Sequence, residues 1–213
     1  MPSHCCRKSA FAMLCRAAFF LLAALLVAGQ AVAWEPEGER RKSAIADLQH
    51  KDAQTRSGAC AVLAELGTPA DLPLLMAALY DPDVEVRQAA EAAIWRVWSR
   101  SGDQATDRVF ELGLAQMQSG NLLAAVETFG RVISANPDFA EGWNKRATVY
   151  FQLGENELSL KDCAEVLKRN PQHFGVLSGY GQLYVRKGDL ERALDYFRRA
   201  LTINPNMNGV RNS

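Results

Sequence analysis

The sequence predicts an all-α protein, a right-handed α-solenoid built from helical hairpins. The first observation is that Gly120, Gly154 and Gly188 are spaced 34 residues apart. The second is an Asn-Pro pair that recurs at the same spacing, at 136–137, 170–171 and 204–205. The third is that amphipathic segments lie on both sides of each glycine. A fixed period of this length is typical of units that stack in order to bury their apolar faces.

Each repeat unit is expected to consist of two helices with a defined end for each. The glycine follows the first helix and supplies the positive φ of a C-terminal cap. The proline ends the second helix, because it has no N–H group and restricts the residue before it. Small residues recur where the two helices must approach each other closely. They are Gly113, Ala147 and Gly181 in the first helices, and Ala125, Ser159 and Ala193 in the second helices.

These residues resemble the tetratricopeptide repeat family over about half of the chain, in three units at 106–139, 140–173 and 174–206. Trp143, Tyr150 and Tyr184 match aromatic positions of the family's first helix. The chain departs from the pattern at several positions, for example at Gln116 and Cys163, but no departure removes a helix. The resemblance implies that the first helices line a concave groove.

A weaker repeat precedes these units. The segment that starts at Leu48 resembles the one that starts 31 residues later at Leu79, with Asp52 matching Asp83 and Arg56 matching Arg87. An Asp at a helix start suits an N-cap, and an Arg one turn later can reach an acid or a carbonyl of the neighbouring loop. The pattern resembles short HEAT repeats of the phycobilisome-lyase-like kind, at residues 43–100. Two units are few for a stack, so we expect them to lean on the repeats that follow.

A short polar joint is predicted between the two repeat types, at residues 101–105. Trp95 and Trp98 precede it and occupy neighbouring positions on one helix. We expect these two side chains to seal the seam between the repeat types. The alternative is that they form an aromatic anchor for a ligand.

The N-terminal residues 1–33 have the pattern of a cleaved secretory signal. A basic start precedes an uncharged apolar run at 17–28, and Ala-Val-Ala at 31–33 is a small-x-small cleavage site. We therefore expect an exported protein, periplasmic or secreted, that begins at Trp34 with a linker over 34–42. The alternative is an uncleaved membrane anchor, for which the apolar run is short against the ~20 residues of a span.

The sequence shows no constellation that would support catalysis. The 24 basic and 24 acidic residues balance, which argues against a nucleic-acid partner. His50 and His173 are predicted to be solvated turn residues without metal-ligand neighbours. Cys60 and Cys163 are predicted to be inert thiols rather than a disulfide. The glycines follow the repeat period and do not cluster into a phosphate loop. We expect a protein that is not an enzyme and binds no cofactor or metal.

The resemblance also implies which residues line the concave groove. They are Phe110, Leu114 and Met117 from the first unit, Asn144, Thr148, Phe151 and Gln152 from the second, and Ser178, Gln182, Val185 and Arg186 from the third. This set passes from an apolar end to an end with amides, hydroxyls and one cation, which suits an extended peptide. For Phe110 and Leu114 the alternative is packing against the HEAT-like helices. A clamp for a C-terminal carboxylate, which some members build from Lys and Asn at these two positions, is not expected.

The expected function is that of an interaction scaffold or assembly adaptor, which binds a protein or peptide segment in the groove. One alternative is a lyase or lyase-like subunit related to the bilin lyases, which share HEAT-like repeats, although no tetrapyrrole pocket can be named. Another is a membrane-anchored adaptor. Only the tail 207–213 follows the last unit, so Leu194, Leu201 and Ile203 are expected to lack a covering helix. A homo-oligomer formed through the last repeat is therefore a further hypothesis.

Overall fold

The computed structural model describes residues 36–212, and every regular element in that range is a helix. The helices are α1 (Glu37–Asp47), α2 (Ala53–Leu66), α3 (Leu72–Ala78), α4 (Val84–Trp98), α5 (Gln104–Gln118), α6 (Leu122–Ala135), α7 (Ala140–Leu153), α8 (Asn156–Arg169), α9 (Phe174–Arg186), α10 (Leu190–Ile203) and α11 (Asn208–Arg211), with a 3-10 helix at Pro69–Asp71. The predicted all-α fold class of helical hairpins is confirmed. The predicted signal and Trp34 lie outside the described residues. Within residues 36–212, no helix is long and apolar enough to cross a membrane.

The predicted linker is wrong over most of its length, because α1 already begins at Glu37. Arg41 explains why this segment is ordered. Its guanidinium donates to both carboxylate oxygens of Asp71, at 2.7 and 2.9 Å. The Asp71 carboxylate is almost completely buried and also accepts a hydrogen bond from the N–H of Thr68. A buried carboxylate needs such partners, so α1 is tied to the start of α3.

Aspartate side chains cap the two matched HEAT-like helices, as predicted. The Asp52 carboxylate accepts a hydrogen bond from the N–H of Thr55 at 2.9 Å, at the start of α2. The Asp83 carboxylate accepts one from the N–H of Glu85 at 2.8 Å, at the start of α4. Each cap satisfies an N–H group that has no partner inside its helix.

The two matched arginines reach a neighbouring loop, as predicted, but they serve different neighbours. Arg56 donates from Nε and Nη2 to the Asp81 carboxylate at 2.7 and 2.8 Å. Arg87 donates to the Asp81 carbonyl at 2.8 Å and to the Asn206 side chain at 2.8 Å. Arg56 therefore holds the HEAT-like part together, whereas Arg87 joins it to the end of the last tetratricopeptide unit.

Close helix contact explains the small residues of the tetratricopeptide hairpins. A Cβ atom added to Gly113 would lie 2.6 Å from the ring of Phe129 in the paired helix. At Gly181 an added Cβ would overlap the ring of Phe197 in the same way. The glycines that end the first helices have φ values of 76 to 81°, as predicted for C-terminal caps.

Helix α4 lies along the corners where one tetratricopeptide unit passes to the next. Trp98 stacks on His173, with ring centroids 4.3 Å apart, and Trp95 meets Phe174 edge to face at 5.4 Å. These contacts confirm that the two tryptophans seal the seam. Phe174 is fully buried in the same core cluster as the HEAT-like residues, so the HEAT-like part leans on the later repeats, as expected.

The end of the last repeat is partly covered by the HEAT-like helices. Ile203 packs against the HEAT-like core together with Met207, so the prediction that Ile203 lacks a cover is wrong. The short helix α11, within the predicted tail, follows Met207. Leu194 remains half exposed. The covering element was missed because it comes from the other end of the chain.

Candidate peptide-binding groove

Helices α7 and α9, the first helices of the second and third tetratricopeptide units, enclose a cleft of about 170 Å³. The amphipathic pattern of each helix turns one face towards its paired second helix and leaves another face to line the cleft. The structure brings five of the predicted groove residues together here. They are Asn144, Thr148 and Phe151 from α7, and Ser178 and Gln182 from α9.

The cleft has a floor of small and apolar side chains. Ala147, Ser159 and Cys163 contribute to it from the middle unit. The Ser159 hydroxyl donates to the Ala147 carbonyl at 2.8 Å, which satisfies a buried polar group in the floor. Ser159 and Cys163 therefore give the cleft a floor of small side chains, in which the Ser159 hydroxyl has a hydrogen-bond partner.

Arg186 places a positive charge beside the Phe151 wall of the cleft. Its guanidinium lies 3.4 Å from the centroid of the Phe151 ring and donates to the Phe151 carbonyl at 2.7 Å. A second bond goes to the side-chain oxygen of Asn156 at 3.4 Å. Gln152 and Val185, also predicted for the groove, are exposed and lie outside the residues that line the cleft.

The predicted apolar end of the groove is wrong for Phe110. This side chain is 2% exposed, and its ring packs against Phe129 and Phe139. Leu114 and Met117 are partly buried against the same core cluster. The ring partners of Phe110 belong to the first tetratricopeptide unit itself, so the alternative of packing against the HEAT-like helices does not describe it either.

Asn144 is held in the cleft wall by a buried carboxylate. Its Nδ2 donates to Glu141 Oε2 at 2.9 Å, and Lys145 lies 3.4 Å from the same oxygen. The other oxygen, Oε1, lies 2.6 Å from Nε2 of His173. An ionised carboxylate only accepts hydrogen bonds, so the amide must turn its NH₂ group towards Glu141. The carbonyl oxygen of Asn144 is then the group that remains for a ligand.

The carboxylate of Glu141 is stabilised in its charged form. Burial by itself would raise its pKa, but the hydrogen bond with His173 and the charge interactions with His173 and Lys145 outweigh burial. The pKa of Glu141 is lowered to about 2. Glu141 is therefore an acceptor at neutral pH, which fixes the orientation of Asn144.

His173 contradicts the prediction of a solvated turn histidine. Its side chain is fully buried, and Nδ1 accepts a hydrogen bond from the N–H of Val176 at 3.1 Å. The ring is stacked on Trp98 and meets Trp95 edge to face. The sequence predicted a solvated side chain because His173 follows Asn170-Pro171 in the loop between two repeats and has no metal-ligand or nucleophile neighbour in the sequence. The two tryptophans that enclose His173 come from a helix far upstream, which no local pattern could indicate.

The remaining predictions about reactive side chains concern His50, the two cysteines and possible metal ligands. His50 is exposed, and its Nδ1 accepts a hydrogen bond from the N–H of Asp52 at 3.1 Å. Cys60 and Cys163 are free and buried, and burial raises the pKa of their thiols to about 11 and about 12, respectively. Among residues 36–212 no group of His, Cys, Asp or Glu side chains could hold a metal ion.

Comparisons with known proteins agree with this architecture. Residues 110–165 and 145–208 match the family model described as tetratricopeptide repeat, and residues 31–95 match the model described as HEAT repeats. A TPR repeat-containing protein of Rhizobium etli is 31% identical over 125 residues, which cover 59% of this chain and 60% of that protein. DnaJ homolog subfamily C member 3 of Homo sapiens is 28% identical over 102 residues, 48% of this chain and 20% of that protein.

A solved structure with a similar fold contains a bound peptide. It is the first TPR of Spaghetti (RPAP3) bound to the HSP90 peptide SRMEEVD, with a TM-score of 0.50 and 23% sequence identity. The match covers 51% of this chain and 86% of that chain. At this identity the likeness shows the fold.

Proposed function

Because the chain carries HEAT repeats followed by tetratricopeptide repeats, we propose that it is a protein-interaction scaffold that binds a peptide or protein segment between α7 and α9. The observation that carries this proposal is the cleft itself. Four uncharged hydrogen-bonding side chains, Asn144, Thr148, Ser178 and Gln182, line an open cleft with a small-residue floor. Such side chains can pair with the main chain of an extended peptide, and the mechanism is complementarity without a reaction.

The presentation of Asn144 supports the same function. Glu141 fixes the amide through one hydrogen bond and leaves the carbonyl oxygen for a donor such as a peptide N–H. A side chain that is held before binding loses little conformational entropy when the ligand arrives. The similar fold of the first TPR of Spaghetti (RPAP3), which holds an HSP90 peptide, is consistent with a peptide ligand for this fold.

The test is a selection of random phage-displayed peptides on the immobilised protein, followed by titration of the selected peptides. We expect Gln182→Ala to weaken binding by about fivefold or more, because one hydrogen bond to the ligand is lost. Gln152→Ala is the matched control, since Gln152 lies on α7 outside the cleft wall, and it should leave binding unchanged. Failure to select any peptide, or equal effects of the two substitutions, contradicts the proposal.

We also propose that the protein is exported and that its mature form begins at Trp34. The basic start, the apolar run and the small residues before Trp34 support this proposal. N-terminal sequencing of protein purified from its native host should read Trp34 first. An N-terminus at Met1 would contradict export by cleavage and would favour the membrane-anchored alternative.

A further inference from the structure

The cleft between α7 and α9 is narrow, and it is lined by small residues where the two helices face each other. Gly175 and Gly179 on α9 and Ala147 on α7 are among the residues that line it. The volume of about 170 Å³ is below the ~300 Å³ at which sites for drug-sized molecules begin. A cavity of about 150 Å³ is sufficient for a benzene-sized group. The cleft therefore has room for one side chain of intermediate size.

The chemistry of the lining selects an uncharged side chain. Val176, Leu183 and Phe151 supply apolar surface, and no Asp, Glu, Lys or Arg is among the described residues that line the cleft. A charged group placed there would lose its hydration without gaining a partner. An aliphatic side chain would instead gain the transfer free energy of its apolar area.

The charges outside the cleft differ between its two ends. At the Asn144 end, Lys145 is paired with the Glu141 carboxylate. At the Phe151 end, the partners found for Arg186 are neutral: the Phe151 carbonyl, the Phe151 ring and the Asn156 amide. No acidic side chain is among these partners, and Arg186 is exposed to solvent. This end of the cleft therefore favours an acidic group.

We propose that the cleft binds an extended peptide that inserts one aliphatic side chain between α7 and α9 and places a neighbouring carboxylate beside Arg186. This inference rests on the proposed function of peptide binding and narrows its ligand class. The inserted side chain provides the apolar contact, the amides of Asn144 and Gln182 bind the main chain on either side, and Arg186 sets the direction of the peptide.

Gly179 allows a direct test, because a Cβ added to it meets no atom within 4 Å. The substitution Gly179→Leu should fill the cleft without disturbing the helix, and it raises helix propensity. Gly58→Leu is the matched control, because Gly58 is an exposed helical glycine in α2 and its added Cβ also meets no atom within 4 Å. Circular dichroism should show that both variants keep the helicity and melting temperature of the wild type or exceed them.

The peptides selected on the wild-type protein provide the second half of the test. We expect a shared Leu, Ile, Val or Met next to Asp or Glu. Gly179→Leu should weaken their binding by about tenfold, Gly58→Leu should not change it, and Arg186→Gln should weaken it and reduce its salt dependence. Replacing the shared aliphatic residue of the peptide by Gly should also cost about tenfold, a measurement that does not depend on the folding of any protein variant.

Two outcomes separate this inference from the proposed function. In the first outcome, peptides are selected and Gln182→Ala weakens their binding, but neither Gly179→Leu nor removal of the aliphatic residue of the peptide weakens it. The proposed ligand class is then wrong, and the proposal of peptide binding stands. If no peptide is selected, peptide binding is contradicted and this inference is overturned with it.

Discussion

Glu141 accepts hydrogen bonds from two side chains that serve different parts of the molecule. Asn144 belongs to the groove, whereas His173 is enclosed by the tryptophans of α4. Gly175 shows how tightly the same region is packed, because an added Cβ would lie 2.5 Å from the Trp95 ring. A change at Glu141 should therefore affect the stability of the seam and the presentation of the groove at once.

The lowered pKa of Glu141 predicts a specific dependence of stability on pH. Its pKa in the folded protein, about 2, lies below the ordinary value of 4.5 for a glutamate side chain. The unfolded chain therefore takes up the proton first as the pH falls. The stabilisation is fully present above about pH 4.5 and is lost between about pH 4.5 and pH 2. The double substitution Glu141→Gln and His173→Gln removes both titratable members of the pair.

We expect the difference in free energy of unfolding between the wild type and this double variant to be larger at neutral pH than at about pH 2.5 by about 3 kcal/mol, the free energy that corresponds to a pKa lowered from 4.5 to about 2. The difference should shrink as the pH falls from about 5 to about 2.5. Urea unfolding followed by tryptophan fluorescence measures it. Glu157→Gln is the control, because Glu157 pairs with Lys187 on the exposed surface and should leave the pH dependence almost unchanged. Parallel curves for the wild type and the double variant would contradict the prediction.

At the scale of the helices, the sequence predicted those features that depend on neighbours in the chain. The N-caps at Asp52 and Asp83 act on N–H groups two or three residues away. The positive φ of Gly154 and the end of α8 before Pro171 are equally local. Local rules of this kind do not require knowledge of the tertiary structure, which is why the repeat boundaries could be predicted.

The errors concern helix faces whose environment is set by a distant element. Phe110 occupies a groove position in the repeat pattern, but the rings of Phe129 in α6 and of Phe139, just before α7, pack against it. Ile203 was expected to be uncovered, yet the HEAT-like core covers it. The pair of Glu141 and His173 joins the two ends of the second unit, and Trp98 of α4 covers it. Five of the residues predicted for the groove in the second and third units line one cleft, whereas Phe110 of the first unit is buried in a core cluster.

For the molecule as a whole, α4 ties the HEAT-like part to the later tetratricopeptide units, so the two parts should gain and lose stability together. Phe174 is fully buried in the HEAT-like core, with ring centroids 5.4 Å from Trp95 and 5.1 Å from Trp98. Phe174→Ala should cost about 3 to 5 kcal/mol. Hydrogen exchange should accelerate in α2 and α4 as well as in α9, although no HEAT-like residue is changed.

Phe110→Ala is the matched control for this prediction, because this buried ring packs against Phe129 and Phe139. It should accelerate exchange in α5 and α6 more than in α2. Unchanged exchange in α2 and α4 of Phe174→Ala would show that the HEAT-like helices are stable without the later repeats.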